Sequence, residues 1–235
     1  MALIPILVLG AAVLAQEPAP VPPPPAQPAP VALNPAKLLA PAEMDAQAPE
    51  VFTVRFDTTA GDIIAEIHRE WAPRGADRFY NLAVNGFYTN TSFFRIVPGF
   101  VVQFGISPYP KVAVAWYNAV LKDDSVKKSN SRGRLVFAAA GRNTRTTQIF
   151  INLGDNASLD REGFAPFGDV VDGMEVVKRL YGGYGDIPPQ GRGPDPKKII
   201  LQGKTYLDKE FPKLDRIKAT YVAEGPAPRP EKTRK

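Results

Sequence analysis

The 235 residues carry 29 Lys and Arg against 24 Asp and Glu, a formal charge of +5 with no long basic run, which argues against nucleic acid as the main partner. There is no cysteine, so disulfides and thiolate chemistry are excluded. The single histidine, His68, argues against a Ser-His-Asp triad and rules out a His-rich metal site.

In chain order, residues 1–15 (MALIPILVLGAAVLA) have no charged side chain and are almost wholly apolar. The run is shorter than the roughly 20 residues that span a bilayer and has the length of the apolar core of an export signal. Val13-Leu14-Ala15 offers small residues for cleavage after Ala15, although no Lys or Arg precedes the run. A signal peptide over 1–15 is expected, with no stable membrane insertion after cleavage. The product would be exported, to a periplasm by preference; secretion or tethering by an uncleaved segment are the alternatives. Residues 16–50 hold 11 of the 25 prolines, a composition that favours extended polyproline II and is expected to form a disordered linker.

From Val51 the pattern changes. Residues 51–57 and 63–68 flank the turn Thr58-Thr-Ala-Gly-Asp62 and read as a β-hairpin. Further β-rich runs cover 92–98, 101–105, 134–140, 147–154, 166–171 and 197–207. Residues 73–84 open on Pro73 and repeat apolar groups at Ala76, Phe79, Tyr80 and Ala83, and 172–180 begin with an acid and end with bases; both predict helices. Eight strands and two helices without alternation predict a mostly β fold, a closed eight-stranded antiparallel β-barrel capped by two α-helices, over 51–203. Residues 204–235 are expected to be a C-terminal extension. Tyr206, Leu207, Phe211, Leu214, Ile217 and Tyr221 recur there at near-helical spacing, and the last part from Gly225 reads as disordered.

Two longer motifs stand in the middle: Phe93-Phe-Arg-Ile-Val-Pro-Gly-Phe-Val-Val-Gln-Phe-Gly105 and Phe137-Ala-Ala-Ala-Gly-Arg-Asn-Thr-Arg-Thr-Thr-Gln-Ile-Phe-Ile151. With Phe164-Ala-Pro-Phe-Gly-Asp-Val170 and Gly173-Met-Glu-Val-Val177, in this order, they resemble the signature regions of the cyclophilins, the peptidyl-prolyl isomerases. The resemblance implies an eight-stranded barrel and catalysis of Xaa–Pro rotation without metal or cofactor.

That chemistry makes limited demands. Amide resonance sets a barrier of about 18–20 kcal/mol, and the prolyl nitrogen regains its lone pair in the twisted state. A fixed cation beside that nitrogen can stabilise it, and about four decades of acceleration need roughly 5.5 kcal/mol. By the resemblance, Arg95 is this cation and Gln103 orients it. Phe100, Val101, Phe150 and Leu159 match positions that line the slot for the pyrrolidine ring. Gln148, Ala138 and Ala139 match positions beside the substrate backbone. Ala139 stands where the family has Asn, leaving main-chain contact alone.

Two further departures concern binding. Ser158 holds the place of a Trp associated with gripping cyclosporin, so weak binding of that drug is expected. Phe164 replaces the family's active-site His and keeps an apolar wall without its hydrogen bond. Tyr109, Trp116 and Tyr117 either extend the groove or pack under a long loop. Asp123-Asp124 reads as a charged loop, because no third ligand is spaced for a cation. His68 has no partner motif and reads as surface or core filler; a hydrolase built on it lacks a nucleophile.

The sequence thus predicts a monomeric peptidyl-prolyl isomerase that acts on proline-containing polypeptides and aids folding of exported proteins. The alternative is a proline-recognising binding or chaperone module with little turnover. Arg95 and Gln103 together favour the enzyme, since holding a proline needs only the slot.

Overall fold

The structure, a computed structural model, describes residues 28–227. The expected signal over 1–15 and the start of the Pro-rich segment lie outside the described residues, as do residues 228–235. Eight antiparallel strands form one curled sheet in the order β3-β4-β6-β5-β7-β2-β1-β8. They are β1 (Val51–Thr58), β2 (Gly61–His68), β3 (Arg95–Val97), β4 (Val101–Phe104), β5 (Arg134–Phe137), β6 (Ile149–Asn152), β7 (Pro166–Asp172) and β8 (Ile217–Glu224). The edges meet just before β3 and β8, where Ser92 bridges Arg216 and the Ile217 amide donates to the Thr91 carbonyl at 3.0 Å.

Alternation builds the core. Phe52, Val54 and Phe56 of β1 and Ile63, Ala65 and Ile67 of β2 point inward, as a period of two requires, and are fully or almost fully buried. Helix α2 (Pro73–Val84) closes this interior with Ala76, Phe79, Leu82 and Ala83 on one face. Its first amides find an acceptor far along the chain: Asp124 takes the Arg74 and Gly75 N–H groups at 3.1 and 2.9 Å. Arg145 pairs with the same carboxylate at 3.1 Å. The Asp124 half of the expected charged loop is therefore a buried helix cap, its charge matched to the positive end of α2.

Both predicted helices are present, as α2 and as α5 (Met174–Arg179), but the chain adds others. The described residues also hold short α1 (Pro35–Leu38) and α4 (Ser158–Arg161), and longer α3 (Pro110–Tyr117) and α6 (Pro196–Glu210). Helix α6 replaces the strand expected over 197–207. Its start is set by the Asp195 side chain, which accepts the Lys197 amide at 2.8 Å, with Pro196 in the first turn. Ile199, Gly203, Tyr206 and Leu207 then fall on one buried face at helical spacing. At Gly203 the backbone leaves the helix at φ 56°, and a Cβ there would lie 2.1 Å from the Pro108 carbonyl oxygen, so the kink against α3 requires glycine. Phe94, Ile106, Ala113, Ile199, Tyr206, Leu207 and Leu214 form a second small core beneath α3 and α6.

The eighth strand comes from the segment expected to be an extension. β8 pairs with β1 from Phe52↔Glu224 to Thr58↔Ile217, so the sheet runs past residue 203 to Glu224. Spacing of apolar residues there suits either period, and pairing with β1 decides for the strand.

The linker expected over 16–50 is likewise integrated where described. The Val31 amide donates to Thr220 of β8 at 2.8 Å, and Leu38, Met44 and Ala48 are buried in the main core. Trp116 of α3 donates its indole N–H to the Leu38 carbonyl at 2.9 Å. Residues 31–50 are a strap across the sheet and helices, because a few apolar side chains among the prolines have partners to bury against.

Candidate active site

The strand register assembles the site on the outer face of β3, β4, β6 and β5. Arg95 lies opposite Gln103, Gln103 opposite Phe150, and Phe150 opposite Val136. Steps of two along the strands add Val101, Gln148 and Ala138 to the same face. The residues between them, Ile96, Val102, Phe104, Ile149, Ile151, Leu135 and Phe137, face the main core. The inner side of these four strands is apolar and fills the interior, while the outer side sets Arg95 and Gln103 beside the apolar Val101, Val136 and Phe150.

Val101, Val136, Phe150 and Leu159 are the slot's buried floor, and Phe100, Ala138 and Phe164 are its partly exposed walls. Phe150 and Phe164 meet edge to face at 5.8 Å between ring centroids. Phe100 is presented by the turn between β3 and β4, whose carbonyl at Phe100 accepts the Leu153 amide at 2.8 Å and the Asn156 side chain at 2.9 Å. Leu159 stands on α4, and Phe164 follows it. Asp160 anchors this segment by accepting from Ser129 at 2.6 Å and from the Asn130 amide at 2.8 Å. Burial opposes ionisation of Asp160, but the bonds from Ser129 and Asn130 prevail and hold its carboxyl below the usual carboxylate range.

At the slot's edge the Arg95 guanidinium carbon lies 5.9 Å from the Phe100 ring centroid. Arg95 Nη1 donates to Gln103 Oε1 at 3.1 Å, and Gln103 Nε2 donates to Gln148 Oε1 at 3.0 Å. Each amide is thereby oriented by its neighbour. On its other edge Arg95 meets Asp186, Nε to Oδ1 at 2.5 Å and Nη2 to Oδ2 at 3.2 Å. The hydrogen bond from Arg95 holds the Asp186 carboxyl below its ordinary range. Ala139 stands beside the slot, and its N–H and C=O have no hydrogen-bond partner among the described residues, whereas the Ala138 amide is taken by the Gln148 carbonyl at 2.9 Å. Past Gln103 and Gln148 opens a groove of about 480 Å³ walled by Tyr117 of α3, Ile187, and Ile200 of α6.

All ten sequence-predicted site residues therefore border one continuous surface: Arg95, Gln103, Phe100, Val101, Ala138, Ala139, Gln148, Phe150, Leu159 and Phe164. Two members escape the sequence reading. Val136 is legible in retrospect, two residues before Ala138 on the same face. Asp186 lies in a Gly/Pro-rich loop with no periodicity to place it. Of the three aromatics near α3, Trp116 is buried, and Tyr117 is exposed beside the groove. His68 belongs to neither the apolar cluster nor the groove; its Nε2 lies 3.1 Å from Glu66 and its ring stacks on Trp71 at 4.1 Å. Among the described residues no cluster of His, Asp and Glu could hold a metal ion.

Residues 53–200 match the sequence model of the cyclophilin type peptidyl-prolyl cis-trans isomerases. A peptidyl-prolyl cis-trans isomerase of Acinetobacter baylyi is 33% identical over 159 residues, covering 63% of this chain and 82% of its own. Peptidyl-prolyl cis-trans isomerase B of Escherichia coli K12 is 33% identical over 172 residues, covering 70% and 94%. Among solved structures, a cyclophilin type isomerase of Cryptosporidium parvum superposes with a TM-score of 0.55 at 22% identity, covering 75% of this chain and 99% of that one. The same protein has been solved in the presence of the dipeptide Ala-Pro. With its slot and curled sheet, the chain belongs to the cyclophilin type peptidyl-prolyl isomerase family. It is an enzyme of that class, and the family match ends before β8, which completes the sheet.

Proposed function

We propose that this isomerase acts on Xaa–Pro bonds of exported proteins and so assists their folding, with Arg95 as the catalytic cation. The observation that carries the reading is the placement of a guanidinium, oriented by Gln103, at the rim of a partly exposed apolar cluster. The pyrrolidine ring would fill the space between Phe100, Phe150 and Leu159, above Val101 and beside Phe164. The residue before proline would then pass Ala139, whose free N–H and C=O suit an extended backbone, while Gln148 lies alongside. As the amide twists, the prolyl nitrogen becomes pyramidal and gains a localised lone pair. A charged N–H of Arg95 stabilises that pair more than the planar ground state, which is the differential interaction catalysis requires. The surrounding Phe and Val side chains exclude water and so strengthen the effect. No bond is made or broken, and no proton changes owner.

The test is exchange between cis and trans Ala-Pro peptide measured by NMR with catalytic amounts of the full chain. Accelerated exchange supports the reading; peptide binding without acceleration contradicts it. Export is supported by the apolar composition of residues 1–15, and the expected observation is a mature chain beginning at Gln16 in an exported fraction. A chain retaining Met1 inside the cell would contradict it. Ser158 is exposed at the start of α4 and supplies no aromatic face, which supports weak inhibition by cyclosporin. Inhibition below micromolar concentration would refute that point.

A further inference from the structure

Arg95 has five N–H donors, and three are committed: Nε and one on Nη2 to Asp186, one on Nη1 to Gln103. One N–H on each of Nη1 and Nη2 is left for a substrate. A carboxylate gripping the Nε/Nη2 edge fixes the plane of the guanidinium, because both bonds are satisfied at one orientation. Gln103 alone, through a single bond, leaves that plane free to rotate.

The loop between α5 and α6 is shaped to deliver this carboxylate. The Gly193 amide donates to the Asp186 carbonyl at 2.8 Å, and the Gly191 amide to the Ile187 carbonyl at 3.0 Å. A Cβ on Gly191 would lie 2.1 Å from the Asp186 carbonyl oxygen, so the loop closes on itself at a distance that excludes a side chain. The Ile187 amide donates to Asp186 Oδ1 at 2.7 Å, which orients the carboxylate. The Ile96 amide donates to the Gly185 carbonyl at 3.3 Å and ties the loop to β3 beside Arg95.

We propose that Asp186 is a positioning residue for the isomerase reaction: it locks the guanidinium of Arg95 in the plane that aims its two remaining N–H donors at the prolyl nitrogen. The inference rests on Arg95 being the catalytic cation. Asp186 also partly neutralises that charge, so simple electrostatics predicts faster turnover without it. Positioning predicts the opposite sign, and the two are separable.

The experiment uses the full chain with Asp186→Ala, Asp186→Asn and Asp186→Glu, each also combined with Arg95→Ala. For Asp186→Ala, kcat is expected to fall about tenfold with KM within about twofold, since misorientation affects the twisted state more than ring binding. Asp186→Glu should recover part of the loss and Asp186→Asn less. In the Arg95→Ala background, removing Asp186 should cost nothing further. An unchanged or raised kcat, or an equal proportional loss in the Arg95→Ala background, overturns the proposal. A second readout is independent of turnover: the Arg95 Nε–H resonance, assigned with Arg95→Lys, should exchange slowly with solvent in the parent and rapidly in Asp186→Ala. Slow exchange in both overturns the proposal. If the parent itself does not accelerate exchange, the functional reading fails, and the resonance still decides whether Asp186 fixes Arg95.

Discussion

Arg95 illustrates how a common side chain becomes a specialised one. On an isolated strand its guanidinium would sample many rotamers in water; here Gln103 and Asp186 hold it on two edges, at the rim of a slot that Phe100 walls. Two carboxylates support the candidate site. Asp186 and Asp160 both titrate below the usual carboxylate range, Asp186 because Arg95 donates to it, Asp160 because Ser129 and Asn130 outweigh burial. A group with a lowered folded pKa contributes fully above its unfolded value, and that contribution is lost as the pH falls through the folded value. The part of turnover and stability that these two carboxylates supply is therefore expected to be constant above the ordinary carboxylate range and to be lost on acidification below it. A pH titration of kcat checks this, and loss of that part between pH 7 and pH 5 would contradict it.

Among the elements, the strap over residues 31–50 and the kinked α6 shape this protein beyond the sheet. Leu38 is fully buried, and its carbonyl accepts from Trp116, so the strap fastens α3 to the body. Leu38→Ala is expected to lower stability by about 2–5 kcal/mol, while the slot keeps its geometry. Denaturation of the full chain, with kcat measured below the transition, would show the first effect without the second. The strands of the site were legible because Phe93 to Gly105 and Ile149 to Asn152 are β-rich and bounded by glycine or polar residues. The role of 197–207 was not, since Ile199-Ile200 and Thr205 carry β propensity, and the helix depends on its start at Asp195-Pro196 and on burial against α3. The slot residues were legible through a resemblance to known motifs; singly, Phe150 and Leu159 read as core. Asp186 was not, because an irregular loop offers no period from which to infer a neighbour 91 residues away.

For the whole molecule, the sheet is completed from both ends of the described chain. β8 covers the outer edge of β1, and the Val31 amide then adds to β8. A chain ending at residue 203 lacks β8 and leaves β1 as a long unpaired edge beside an open core, a known route to aggregation. It is expected to be insoluble or to melt without cooperativity. A fragment spanning 28–227 should melt like the full chain; calorimetry on the two fragments decides.

The proposed catalysis depends on the guanidinium at position 95 acting on the twisted amide. Its most direct measurement is kcat for cis/trans exchange of an Ala-Pro peptide by Arg95→Ala, alongside the dissociation constant for the same peptide. Turnover should fall roughly a hundredfold, as for loss of a single preorganised charge-stabilising donor, with affinity within about threefold. Turnover equal to that of the parent would contradict the account.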